Sequence, residues 1–140
     1  MSIVGPMLPE ARVLDLCAGS GALGIEAVSR GAACADLVDI ATSSLRIIQH
    51  NVALLGAEDT VRVHRMDVLR FIEALAPGAY DVAFADPPYD LGLAAAIAER
   101  WLAVPFAKVL GIEHRRSESL PGEGDRRQYG QTAITFFRRD

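Results

Sequence analysis

The residues of this sequence that could do chemistry are four aspartates and a glycine turn. Residues 12–24, Arg12-Val-Leu-Asp-Leu-Cys-Ala-Gly-Ser-Gly-Ala-Leu-Gly24, pass from a short apolar run into a glycine-rich turn and then into helical spacing. Gly19, Gly21 and Gly24 form Gly-x-Gly-x-x-Gly, which lets the backbone turn tightly and approach a ligand at a helix start. Such a turn serves a nicotinamide dinucleotide or another adenosine-containing cofactor equally well. Asp15 is the exception in its apolar run. An unpaired buried carboxylate is costly, so it is expected near the strand's exit, facing the turn. Asp39 follows the first glycine by about 20 residues, where an acid receives ribose hydroxyls. Asp67 ends a third apolar alternation, and Asp86 opens Asp86-Pro-Pro-Tyr89 at the end of a fourth.

The fourth stretch decides between the cofactors. Two consecutive prolines fix φ and remove two backbone donors, which leaves carbonyl oxygens free to face a ligand. An exocyclic amino group on a base is a poor nucleophile because its lone pair is delocalised into the ring. Hydrogen bonds accepted from its N–H groups by the Asp86 carboxylate and the Pro87 carbonyl favour the pyramidal nitrogen that attacks a methyl donor. Tyr89 offers a face for base stacking, worth about 1–3 kcal/mol.

These residues need strands that end together. Val13, Leu14 and Leu16 suit a strand buried on both faces. Leu23, Ile25, Ala27 and Val28 follow as a helix stopped at Arg30-Gly31. Residues 35–40 read as a second strand. Thr42 or Ser43 can cap the next helix, striped by Leu45, Ile48, Val52 and Leu55, with His50 and Asn51 at its surface or edge. Val61 and Val63 alternate as a third strand, residues 68–75 turn helical, and a fourth strand begins at Tyr80. In a parallel sheet Asp15, Asp39 and Asp67 emerge beside one another, which makes a pocket. Residues 91–102 are expected to form a helix with Trp101 in the core or at the domain edge, and 108–113 a fifth strand followed by a surface His114. Residues 117–125 read as a polar connection, and 128–137 as a strand with one buried face; residues 1–11 are a lead-in. The fold class is therefore α/β, a doubly wound, mostly parallel Rossmann-like sheet with an antiparallel C-terminal strand pair, in one domain spanning residues 1–140.

Composition narrows the setting. The chain of 140 residues is 51% apolar, enough for one sizeable core. No apolar run approaches the roughly 20 residues of a membrane span, and the start lacks a signal-peptide pattern, so a cytoplasmic protein is expected. Cys17 and Cys34 lack metal-ligand spacing and read as packing residues, with neither a metal nor a disulfide expected. The net charge of −4 argues against non-specific nucleic-acid binding by the whole surface. Basic residues nevertheless cluster late, and Arg115, Arg116, Arg126 and Arg127 are candidate phosphate contacts.

Asp86-Pro-Pro-Tyr89 resembles the signature of amino-directed methyltransferases of nucleic-acid bases that use S-adenosylmethionine. Residues 12–32, RVLDLCAGSGALGIEAVSRGA, are similar to the cofactor segment of the RsmD family of bacterial 16S ribosomal RNA guanine-N2 methyltransferases. Residues 128–136, QYGQTAITF, look like that family's closing strand. The resemblance covers nearly the whole chain. It implies methyl transfer to guanine N2 in 16S rRNA or a small ribosomal subunit assembly intermediate, by a monomer that releases S-adenosylhomocysteine. It also implies residue roles. Ala18, Gly19, Ser20 and Gly21 wrap the methionine part of the cofactor with Asp15 and Gly24 supporting them, Asp39 holds the ribose, Asp67 the adenine edge, and Asp86, Pro87 and Tyr89 the target base. Two departures stand out: Asp39 replaces a frequent Glu, a shorter acid of the same chemistry, and eleven residues precede Arg12 where the family carries several tens. The alternatives are a nicotinamide-dependent oxidoreductase, which leaves Asp86 to Tyr89 without a task, and a truncated cofactor-binding remnant without rRNA methylation.

Overall fold

The computed structural model describes residues 5–89 and 91–139. The first four residues of the expected lead-in lie outside that range. Among the described residues the strands form a single seven-stranded sheet in the order β3-β2-β1-β4-β5-β7-β6. β1 (Arg12–Leu16), β2 (Cys34–Asp39), β3 (Val61–Arg65), β4 (Tyr80–Ala85) and β5 (Ala107–Arg115) run parallel. β6 (Asp125–Tyr129) and β7 (Thr132–Arg138) add the antiparallel pair, with β7 against β5. The doubly wound fold and its antiparallel end are as the sequence implies.

Helices cover both faces because alternate strand residues are apolar on both sides. Val13, Leu37, Val82 and Val109 pack with α1 (Ala22–Ser29) and α2 (Thr42–Leu54) through Ile25, Leu45, Ile48 and Val52. Leu14, Val38, Ala83 and Leu110 pack on the other side with α3 (Val68–Glu73) and α4 (Leu93–Ala103) through Ile72, Ile97 and Trp101. Trp101 is buried as expected, and its Nε1 donates to the Ala107 carbonyl at 2.9 Å.

Three local expectations need correction. Residues 128–137 are not one strand: Gly130 adopts φ 62 and folds them into a hairpin, so Arg126 and Arg127 lie within β6 instead of preceding a strand. His114 is not on the surface. It is fully buried near the end of β5, bonded through Nε2 to Thr135 Oγ1 at 2.7 Å and through Nδ1 to the Arg115 carbonyl at 2.9 Å. Neither Thr42 nor Ser43 caps α2 with its side chain; Ala41 occupies the cap position and its N–H donates to Asp39 Oδ1 at 3.0 Å.

Candidate active site

β1 and β4 lie side by side, and the chain proceeds from them in opposite directions, through β2 and β3 on one side and β5 on the other. At such a switch the loops leaving the two strands diverge onto opposite faces and open a crevice beyond the strand carboxyl ends. The glycine turn leaves β1 at that point, and Asp86-Pro-Pro-Tyr89 leaves β4.

The turn is built from left-handed residues, Cys17 (φ 59), Gly19 (φ 60) and Gly21 (φ 80). A Cβ on Gly24 would meet Leu37 Cδ1 at 2.5 Å, so this glycine lets α1 lie directly on β2. At Gly19 an added Cβ would meet nothing within 4 Å, so only φ demands glycine there and the space beside it is open. Ala18 N–H donates to the Val38 carbonyl at 3.1 Å, Gly19 N–H to Asp39 Oδ2 at 2.9 Å, and Gly21 N–H to the Ala18 carbonyl at 2.8 Å. Asn51 of α2, read from the sequence as a surface or edge residue, donates from Nδ2 to the Ser20 carbonyl at 3.0 Å and steadies the exposed tip of the turn.

The acids converge as expected. Asp15 is only 2% exposed and accepts the Gly24 N–H at 3.1 Å. Burial pushes its carboxyl up to about 7; the Gly24 bond opposes this, while the charges of Asp86 and Asp39 add to it. Burial, then the charges of Asp39, Asp15, Asp86 and Asp67, push the Cys17 thiol up to about 12. One thiol thus feels all four aspartates, and it stays protonated at neutral pH. Asp67 has a second task the sequence did not suggest: it caps α3, Oδ2 accepting the Arg70 N–H at 3.1 Å. Beside it a cleft of about 530 Å³ is lined by Ile40, Arg65, Met66, Asp67, Arg70 and Ala74.

On the acceptor side Asp86 is exposed, Pro87 buried and Tyr89 38% exposed. The Arg115 guanidinium lies 4.8 Å from the Tyr89 ring centroid, and the Tyr89 hydroxyl is 3.5 Å from Thr132 Oγ1. Sequence reasoning gave Glu113 no role, yet it stands at the carboxyl end of β5 beside Asp86. A hydrogen bond to the Asp86 carboxyl, then burial and the Asp86 charge, push it up to about 7. Of the four candidate phosphate contacts, Arg115 is the one whose guanidinium lies against Tyr89. Arg126 donates to the carbonyls of Glu118 and Arg116, Arg127 pairs with Asp125 at 3.3 Å, and Arg116 approaches the Gly130 carbonyl at 3.5 Å. Among the described residues no group of three or more His, Cys, Asp or Glu side chains is placed to hold a metal ion, and no helix is long and apolar enough to cross a membrane.

Residues 1–138 match the family described as Conserved hypothetical protein 95. The chain belongs to this family, the RsmD family of methyltransferases. Among RsmD-family relatives, a Bacillus subtilis protein named as a candidate rRNA methyltransferase, YlbH, is 30% identical over 149 residues, covering 99% of this chain and 81% of that protein. Ribosomal RNA small subunit methyltransferase D of Buchnera aphidicola is 37% identical over 86 residues, 61% of this chain. That match spans only 44% of the Buchnera protein, less than half its length. Among solved structures, a candidate methyltransferase of Escherichia coli, yhhF, superposes with a TM-score of 0.85 at 27% identity, covering 99% of this chain and 81% of that one. The fold is the class I methyltransferase fold. The relatives described above carry methyltransferase names, which favours the methyltransferase reading over the nicotinamide alternative.

Proposed function

We propose that this RsmD-family chain methylates the exocyclic N2 of a guanine in 16S rRNA, within a small ribosomal subunit assembly intermediate, with S-adenosylmethionine as donor. The observation that carries this reading is the position of the glycine turn and Asp86-Pro-Pro-Tyr89 on adjacent strand ends, at one crevice where the strand order switches. The rRNA target is supported by the names of the relatives that match.

The residues present fit the cofactor. Asp15 is a buried carboxylate whose recorded hydrogen bond is to one backbone N–H, and Asp86 and Asp39 stand near it, an arrangement that favours a cationic ligand. When bound, S-adenosylmethionine supplies a methyl group on a positively charged sulfonium. Ala18, Gly19, Ser20, Gly21 and Gly24 would cradle its amino-acid portion with Asp15 behind them, Asp39 would take the ribose hydroxyls, and Ile40 with Asp67 would border the adenine. Asp86 and the Pro87 carbonyl would accept the amino hydrogens of the guanine, turning the nitrogen lone pair out of conjugation, while Tyr89 packs against the base. Arg115, Arg116, Arg126 and Arg127 would meet RNA phosphates.

The test is methyl transfer to rRNA and small-subunit particles by the parent and by Asp86→Ala, with mass spectrometry of the digested nucleosides. The parent should produce N2-methylguanosine, and the variant should fall at least about 100-fold while still binding S-adenosylmethionine. Variant activity within a few-fold of the parent, or a parent that methylates a different base, refutes the reading.

A further inference from the structure

We propose that Glu113 determines the preference for guanine: with Asp86 on the exocyclic amino group, the Glu113 carboxylate accepts the neighbouring ring N1–H. This deepens the function proposed above and rests on it.

The geometry comes from the sheet. Ala85 pairs with Ile112 across β4 and β5, so the next residue of each strand, Asp86 and Glu113, stand side by side. β4 ends there, but β5 continues because β7 holds its far side, with Glu113 opposite Ile134 and Arg115 opposite Thr132. Glu113 is therefore fixed on a strand, and it is half-buried. Strand alternation puts it on the face of Val109 and Gly111, the α1 side, where Asp15 also lies; His114 points to the opposite face.

A guanine edge presents two donors next to each other, N1–H and the N2 amino group. Adenine and cytosine present an amino donor next to a ring nitrogen that accepts. Two carboxylates in a row match the first pattern. Against the second, an ionised Glu113 would face a lone pair. Protonated, Glu113 would donate, and the preference would turn towards the other bases.

Charge state thus decides selectivity. The charged group acting on Glu113 is Asp86 at the end of β4; two residues on along its own strand Arg115 lies over Tyr89. From β7 it faces the apolar Ile134, beyond which Arg127 of β6 is paired with Asp125. A hydrogen bond to the Asp86 carboxyl, then burial and the Asp86 charge, hold the Glu113 proton up to about 7. An ionised Glu113 accepts N1–H in the stronger, charge-assisted bond, so base capture favours release of that proton to solvent and strengthens as pH rises through about 7.

The experiment measures kcat/KM between pH 6 and 8 for the parent, Glu113→Gln and Glu113→Asp. The substrates are RNAs carrying guanine or 2-aminopurine at the position the parent methylates. 2-Aminopurine keeps the reacting amino group but has an acceptor at N1. The parent should rise with pH to a plateau and prefer guanine by about 10- to 100-fold. Glu113→Gln should lose the pH step and most of the preference, because its amide can donate to N1, while still folding and binding S-adenosylmethionine. Glu113→Asp should restore part of both. A Gln variant that keeps the parent's pH step and preference overturns the inference alone and assigns the step to Asp15. A parent that leaves guanine unmethylated overturns the inference together with the function beneath it.

Discussion

Replacing Asp15 by Asn tests whether the acid beneath the glycine turn is held there for a cation at the expense of stability. Asp15 is 2% exposed and accepts one backbone N–H, from Gly24 at 3.1 Å. Burial, with help from Asp86 and Asp39, lifts its carboxyl from 3.8 to about 7. The folded chain therefore holds the proton more tightly than the unfolded chain does. Between about pH 4 and pH 7 the unfolded carboxyl is ionised while the folded one is still protonated, so stability falls as pH rises through that window and stays low above it. At 1.36 kcal/mol per pKa unit the loss has an upper bound on the order of 4 kcal/mol. Asn has the same shape, its carbonyl can accept the Gly24 N–H, and it carries no charge. Without cofactor, Asp15→Asn should exceed the parent's stability in urea unfolding by about 2–4 kcal/mol at pH 8, and match it within about 1 kcal/mol at pH 4. The same variant should bind S-adenosylmethionine more weakly and lose preference for it over S-adenosylhomocysteine, which lacks the sulfonium charge. A variant destabilised equally at both pH values would refute the account.

Asp39→Ala removes the acceptor of the Gly19 and Ala41 N–H groups as well as the proposed ribose contact, so calorimetry should show S-adenosylmethionine binding weakened at least about 10-fold. Gly24→Ala places a methyl 2.5 Å from Leu37 Cδ1 and should cost about 1–3 kcal/mol in denaturant unfolding, with partial recovery on adding Leu37→Val. Arg115→Ala should weaken rRNA binding across sequences and reduce the slope of log affinity against log salt by about 1, leaving cofactor affinity unchanged; an unaltered slope would remove Arg115 from the phosphate contacts.

The features legible in the sequence are those fixed by local chemistry. Glycines at 19, 21 and 24 and prolines at 87 and 88 constrain the backbone whatever surrounds them, so the two turns and the strands leading into them could be read directly. Asp15, Asp39 and Asp67 were legible because each stands at or just beyond the end of an apolar or alternating run. What escaped depends on neighbours across the sheet. His114 looks like the start of a basic surface run, but β7 extends β5 past it and supplies Thr135 as its partner. The antiparallel pair was expected but its turn was misplaced, because Gly130 lies inside residues that read as one alternation and its positive φ breaks them into two strands. The Asn51 contact likewise needed the packing of α2 against the tip of the turn.

Glu113 shows why an acid can be plain in the sequence and its task still invisible. The glycine turn and Asp86 belong to strands recognisable from their own motifs, whereas Glu113 acquires meaning only when β5 is known to lie beside β4. With that neighbour fixed, Asp39, Asp15, Asp86 and Glu113 follow one another along the strand ends in the order β2, β1, β4, β5. Two of these acids hold protons up to about pH 7: Asp15 through burial and the charges of Asp86 and Asp39, Glu113 through its hydrogen bond with Asp86, burial and the Asp86 charge. In the proposed reading a cation beside Asp15 weakens the hold of Asp15 on its proton and, across the same crevice, that of Glu113. The donor half then prepares the acceptor half electrostatically: cofactor charge favours the ionised Glu113 that binds guanine best, and without cofactor a protonated Glu113 presents a poorer hydrogen-bonding pattern to the base.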